Sequence, residues 1–545
     1  VRTAVKRPWI RSGVRLAAVG AAAALLAAGC ASNGDSGSPS GGATSDGATT
    51  IGFVGAGAAD SGDPVDGGTL TFGSYSFPSS LDPTKTLAAG SNGGTEMAAI
   101  YDTLVRTDPG SGDFIPQLAE KIEHNDDYTE FTLTLRDGVT FSDNSPLDSA
   151  AVKWSIDRYV EAGRDVAQVW SDIVTSTGTP DAHTVKITLN RPWKQFPVLL
   201  AMGPGMIVGQ GSDAGGDFTP IGAGPYTLGQ FAPSEKIVLN AREDYFAGKP
   251  HLDTVTFVPT SGAQQQLESL QSGQLSMTYI NRDSQVINQA VDAGLPGYLD
   301  IQGLGSLGFI NQHEGRPGAD VRVRRAIAYG VDPEVLNQRV ENGLGIADSA
   351  IVPESSRWYD GAKGVPFDPT QAKKFLDEAK ADGYDGTLHY LSGNDPSARA
   401  AALAVQAQLN AIGFNVQIDY ANSVNDLVRK MFVDHDFDMA RSALQFMDDA
   451  PYLRLYAGLG SDANNNASGY SDRKMDELLT AVQTATDDNA KKAAIDEVQA
   501  QANETIPYAI WGPAKVLTIW NDDVHGVKRS ADNIFLLDSA WVTGS

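Results

Sequence analysis

Two hydrophobic periods take turns along the chain. Apolar residues at every second position predict a half-buried strand, and apolar residues returning every three or four predict a helix with one buried face. Residues 129–136 show the first pattern, with Phe131, Leu133 and Leu135 on one side, and residues 184–189 repeat it. Residues 67–73, 237–240 and 255–258 read as further strands. The second pattern begins at residues 94–104, where Met97, Ile100 and Leu104 share a face. It returns with Val152, Ile156 and Tyr159, for which Ser145 is the candidate cap and Pro146 the first helical residue. Residues 398–412 align Ala402, Val405, Leu409 and Ile412 and stop at Gly413. Strands at 388–391 and 416–418 flank that helix, so the three form a βαβ unit with a right-handed crossover. Behind the turn Pro317-Gly318, residues 321–333 carry Val323 and Ile327 inward, and the face with Arg322, Arg324 and Arg325 is expected to be solvated.

Strands alternating with helices over 545 residues predict an α/β protein of more than one domain. The run 196–209 is apolar but broken by Pro197, Pro204 and glycines, which argues against a membrane span. The composition, 41% hydrophobic and 20% charged, is that of a globular chain. A net charge of −26 repels phosphate backbones, so nucleic acid is not an expected partner. The single cysteine, Cys30, excludes an internal disulfide and a cysteine metal cluster, and the seven histidines lack zinc-site spacing.

The first residues are basic, with Arg2, Lys6, Arg7, Arg11 and Arg15, and 16–29 is uncharged and alanine-rich. That pairing reads as a secretory signal. It ends Leu26-Ala27-Ala28-Gly29-Cys30, which resembles the lipobox of bacterial lipoproteins, with the leucine four places before the cysteine where three is usual. The resemblance implies that Cys30 is lipidated. Residues 31–66 are rich in Gly, Ser, Ala, Thr and Asp, too polar to fold alone, and are expected to be a flexible tether. Ile51-Gly52-Phe53-Val54 interrupts it without an assigned role.

From Gly67 onward the blocks follow a known order. Ser80-Leu81-Asp82-Pro83 follows the first strand. Leu135-Arg136-Asp137-Gly138-Val139 and Ser145-Pro146-Leu147 precede a helix with Lys153-Trp154-Ser155-Ile156-Asp157-Arg158. Gly222-Ala223-Gly224-Pro225-Tyr226, Asp244-Tyr245-Phe246-Ala247-Gly248-Lys249-Pro250 and the arginine-rich 320–332 come next. Together they resemble the family 5 extracytoplasmic solute-binding proteins of bacterial ABC importers, the peptide and nickel type. The resemblance implies a two-lobed α/β fold of the type II periplasmic binding-protein kind with an extra subdomain and a ligand cleft between the lobes. Its expected divisions are 1–30 signal peptide, 31–66 tether, 67–105 first part of lobe 1, 106–218 subdomain II, 219–308 lobe 1 continued, 309–506 lobe 2 and 507–545 return to lobe 1. The lobes are expected to cross near 305–311 and 506–512.

The same resemblance implies a monomeric lipoprotein on the outer face of the cytoplasmic membrane. It captures an oligopeptide-like solute for membrane permease subunits and has no cofactor and no metal. A sugar, an opine-like compound or a nickel complex are the alternative solutes; a lipid-anchored structural surface protein is the rival class. The family's pocket stretch aligns with 437–451. Arg441 takes the place of an arginine that can meet a carboxylate, Leu444 falls on an aromatic position, and Met447 on the aspartate that pairs with a peptide amine, with Asp448 one place away. Leu87, Ala88 and Ala89 align with a segment beside the peptide backbone. Catalysis is not expected: no G-x-S-x-G elbow nominates a serine, and pairs such as Asp126-Asp127 arise by chance in so acidic a chain.

Overall fold

The computed structural model describes residues 49–55, 62–163, 166–464 and 466–543. Cys30, the leader and most of the expected tether lie outside the described residues. The stretch Gly52–Val54 (β1), expected to be tether, is instead a strand pairing antiparallel with residues 297–299. Its alternation explains this: Phe53 lies edge-on to Tyr298 at 5.2 Å, which gives a short apolar segment a surface to cover.

Thr69–Ser74 (β2) precedes Gly94–Tyr101 (α1), a helix buried along its whole length. It ends three residues before the expected Leu104, because Asp102 leaves the helical region at φ 55°. A separate antiparallel sheet follows, from Ala119–His124 (β3), Glu130–Leu135 (β4), Val174–Asp181 (β5) and Thr184–Leu189 (β6), in the order β3-β4-β6-β5. Its inward residues Phe131, Leu133, Leu135, Val185 and Ile187 pack against Val152 and Ile156 of Ser149–Glu161 (α2). The expected cap at Ser145 is displaced. Its hydroxyl and amide are both used by Asp143 Oδ1 within a turn, and Pro146 bridges back to Thr140. Asp148 caps α2 instead, accepting from the Ala151 amide at 2.8 Å; a carboxylate there also meets the positive end of the helix dipole. The apolar run 196–209 forms the buried 3-10 turns Phe196–Ala201 and Gly203–Gly205. No helix among the described residues is long and apolar enough to cross a membrane.

The main sheet is assembled from Tyr226–Ala232 (β7), Lys236–Ala241 (β8), Thr254–Pro259 (β9), Met277–Asn281 (β10), Gly297–Ile310 (β11), Thr387–Ser392 (β12), Asn415–Tyr420 (β13), Met439–Ser442 (β14) and Tyr508–Trp520 (β15). With β2 its order is β13-β12-β14-β11-β15-β10-β2-β9-β8-β7, and β1 joins β11. The expected βαβ unit is present: β12 and β13 pair in parallel and Pro396–Ala411 (α6) connects them. In the expected division, β2 and β7 to β10 fall in the first lobe and β12 to β14 in the second.

Strands β11 and β15 lie side by side between these two sets. They pair from Gly297↔Ile519 to Phe309↔Tyr508, with a gap between Gln302 and Ser306. In the gap Gly303 exchanges backbone hydrogen bonds with Phe446 (2.9 and 3.1 Å), and Leu444 donates to the Leu304 carbonyl at 2.9 Å. Pro513 opposite has no amide to give a ladder. A side chain at Gly303 would place Cβ 2.0 Å from the Ile351 oxygen, and one at Gly305 would place it 2.1 Å from the Ala514 nitrogen, so both positions need glycine. Residues 305–311, expected as one crossing, overlap the end of β11, and residues 506–512, expected as the other, overlap the start of β15.

The arginine-rich helix is Val321–Gly330 (α4), and of its arginine face Arg322 and Arg325 stay half-exposed while Arg324 is buried. Arg324 is 9% exposed and donates to the backbone oxygens of Gly318, Ala319, Thr505 and Ile506 at 2.7–3.2 Å. Arg322 pairs with Asp320 and Asp382, and Arg325 with Glu504. The triplet ties α4 to its own start and to the end of Asp488–Thr505, the helix that leads into β15. Burying a guanidinium costs free energy unless its donors are met, and here four carbonyls meet them.

Candidate ligand-binding site

A cavity of about 390 Å³ lies where β11 and β15 lose their pairing. Gly305, Ser306 and Trp511 to Lys515 form its floor. The first lobe contributes Tyr75 and Arg282, which follow the carboxyl ends of β2 and β10. The second contributes Asp395 and Ser397 after β12, and Arg441 to Ala443 at the end of β14. These four strands run in parallel pairs, β2 with β10 and β12 with β14. Loops beyond the carboxyl ends of parallel strands gather at one edge of a sheet, which is where α/β proteins place ligands.

Arg441 stands on β14 and its Nε is buried with no hydrogen-bond partner. Arg282 takes a left-handed backbone conformation (φ 59°) between β10 and Ser284–Asp292, and its Nη1 donates to the Gly305 oxygen in the hinge gap at 2.5 Å. Burial, with the charge of Arg441 adding to it, holds the Arg282 guanidinium below its ordinary pKa. Trp511, 4% exposed, lines the same space, and its indole Nε1 is also without a partner. Other polar groups of the wall are already engaged. Lys515 donates to Asn288 Oδ1 (3.2 Å) and the Leu344 oxygen (3.0 Å). Glu341 accepts from the Ser284 amide at 3.3 Å, and Asp395 caps α6 through the Ala398 amide at 2.9 Å. The arrangement offers donors to something with acceptor oxygens. Among the described residues no group of three or more His, Cys, Asp and Glu side chains is placed to hold a metal ion.

Of the site residues expected from the sequence, only Arg441 lines this cavity. Leu444 contributes its backbone to the hinge bridge. Met447 is 2% exposed and packed away. Asp448 holds the 356–358 turn: its carboxylate accepts from the Ser356 hydroxyl (2.5 Å) and the Arg357 amide (3.1 Å), and its backbone oxygen accepts from Trp358 Nε1 (2.8 Å). Leu87 is 46% exposed, and Ala88 and Ala89 are buried beside the C-terminal residues, where Gly90 donates to the Asp532 oxygen. Sequence reasoning missed Tyr75, Arg282, Trp511 and Lys515. One signal pointed to Arg282: Asn281-Arg282-Asp283-Ser284 is a strand-to-helix cap sequence, and a charged residue there emerges at a strand's carboxyl end.

A family model described as bacterial extracellular solute-binding proteins, family 5 Middle, matches residues 113–466. The chain is 24% identical over 483 residues to the dipeptide-binding protein of Escherichia coli K12, covering 82% of this chain and 90% of that one. It is 26% identical over 440 residues to the glutathione-binding protein GsiB of Salmonella typhimurium LT2, covering 78% and 85%. Among solved structures it resembles the binding protein AgaA in complex with agropinic acid, from A. tumefaciens R10, with a TM-score of 0.72, 25% identity and coverage of 88% and 99%. The murein tripeptide-binding protein MppA of Escherichia coli shares the fold at a TM-score of 0.74 and 20% identity, with coverage of 88% and 100%.

Proposed function

The chain belongs to the family 5 bacterial extracellular solute-binding proteins, and from that membership we propose that it captures an oligopeptide-like solute and hands it to the permease of an ABC importer. The observation that carries the proposal is the cavity between the lobes, with the Arg441 Nε buried and unpartnered in its wall. A guanidinium suits a carboxylate, which it can meet with two parallel bonds. An opine-like solute is the second reading, supported by the likeness to the agropinic acid complex of AgaA. Neither reading asks the protein to act as an enzyme.

In this proposal the two lobes close on the solute by flexing β11 and β15. A solute shifts that balance only through higher affinity for the closed form. The protein works as a monomer. It is held at the outer face of the cytoplasmic membrane by lipid on Cys30, a residue outside the described ones. Native mass spectrometry of protein purified without refolding tests the first part: a peptide or opine mass should accompany the protein, and its removal should lower the melting temperature. A neutral sugar in that place would sink the peptide reading. Fractionation of a Cys30→Ala variant tests the anchor. Export to the medium or accumulation of uncleaved chain is expected, and normal processing with full membrane retention would count against lipidation.

A further inference from the structure

We propose that Arg282 and Arg441 form a clamp across the two lobes, and that only a solute with a carboxylate to place between them closes the protein. The inference rests on the solute-binding reading above and narrows its substrate class to acidic solutes. Arg282 belongs to the lobe built on β10 and Arg441 to the lobe built on β14. Both line one cavity, and among the described residues neither has a carboxylate partner. Two guanidinium groups without a counter-ion in the wall of one cavity repel each other, more strongly there than in water. Closure without a solute therefore works against that repulsion. An anion between them converts it into attraction and supplies the acceptor that Arg441 Nε lacks.

The other unsatisfied group of the wall points the same way. Trp511 Nε1 is a donor, as Arg441 Nε is, so both buried wall atoms without a partner call for a ligand acceptor. The acids of the wall do not neutralise the pair: Glu341 is bonded to the Ser284 amide and lies in the field of Lys515, and Asp395 caps α6. The Arg282 bond to Gly305 places the clamp on the hinge gap itself, so what happens between the guanidinium groups is felt where the lobes bend.

The test is binding of four probes to wild type, Arg282→Gln, Arg441→Gln and the double variant, by calorimetry, with thermal melts and solution scattering on each protein alone. The probes are dialanine, N-acetyl-dialanine, dialanine amide and glucose. Wild type should bind the two probes with a free carboxylate. Each single variant should weaken that binding tenfold or more, and the double variant by less than the product of the two. Without a probe, Arg441→Gln, which loses no hydrogen bond among the described residues, should melt no lower than wild type, and both glutamine variants should scatter as a more compact particle, since the repulsion is gone. A merely structural arginine would instead lower the melt. Equal binding of dialanine and its amide overturns the clamp and leaves the solute-binding reading standing. If no probe and no co-purified solute binds, both fail.

Discussion

Glu96 and Asp102 are two buried acids that are costly to ionise. Burial pushes the Glu96 carboxyl up to about 7 against the bond from Ser74 Oγ, and burial likewise brings Asp102 to about 7 despite the Tyr245 hydroxyl that donates to it at 2.6 Å. Each group binds its proton more tightly folded than unfolded, so stability falls as pH rises from about 4.5 to about 7. For Glu96 the shift corresponds to roughly 3 kcal/mol at 1.36 kcal/mol per unit. Glu96→Gln should raise the melting temperature at pH 8 and flatten its pH dependence, measured by calorimetry between pH 4 and 8; a lower melt at pH 8 would refute this. At the same scale, Asp448→Asn is expected to act on folding: it weakens the grip on Ser356 and Arg357, so the melt should drop by an amount independent of any solute. Arg441 was legible because its neighbours spell a family stretch. For Arg282 the local cap sequence marks a charged residue at a strand's carboxyl end, but not its meeting with Arg441, which lies far along the chain.

Elements with a clean period were read from the sequence almost to the residue, as at Thr184–Leu189 and Glu130–Leu135, because alternation reports which side faces the core. Reading failed where a tertiary partner outranked the local signal. Ser145 resembled a cap until Asp143 claimed its hydroxyl, and the α4 arginines resembled a wet face until the carbonyls of Thr505 and Ile506 came to cover Arg324. That helix makes its own prediction. Arg324→Gln removes bonds from a charged donor to the end of the helix that precedes β15, each contributing about 1.5–3 kcal/mol when made. The variant should lose on the order of 3 kcal/mol, seen as a lower denaturant midpoint with an unchanged slope. Loss of less than a few tenths would mean that the carbonyls find water instead.

In the whole molecule, two ion pairs join the C-terminal segment to the stretch 449–454. Arg529 meets Asp449 at 3.1 Å and Arg454 meets Asp532, so acid and base are exchanged in both directions between the C-terminal segment and the second lobe. Arg529 and Asp449 are 4% and 9% exposed at their side chains, so removing one partner strands a buried charge. Asp449→Asn should favour the open form, which returns Arg529 to water. Scattering of the variant should show a larger radius than wild type, and its solute affinity should fall by the lost closed fraction. An unchanged radius would show that the pairs follow closure without holding it.

The broken ladder at Gly303 to Gly305 also sets a clock. Beside it, the amides of Gly303, Leu444 and Phe446 are held only by the bridge between β11 and the chain after β14, whereas those of residues 297–301 sit inside continuous pairing. In deuterated solvent the first three should exchange at the frequency with which the lobes part, and the others only when the sheet itself opens. A saturating solute should slow the first set and leave the second untouched, so the breathing of the cleft can be timed from three backbone protons.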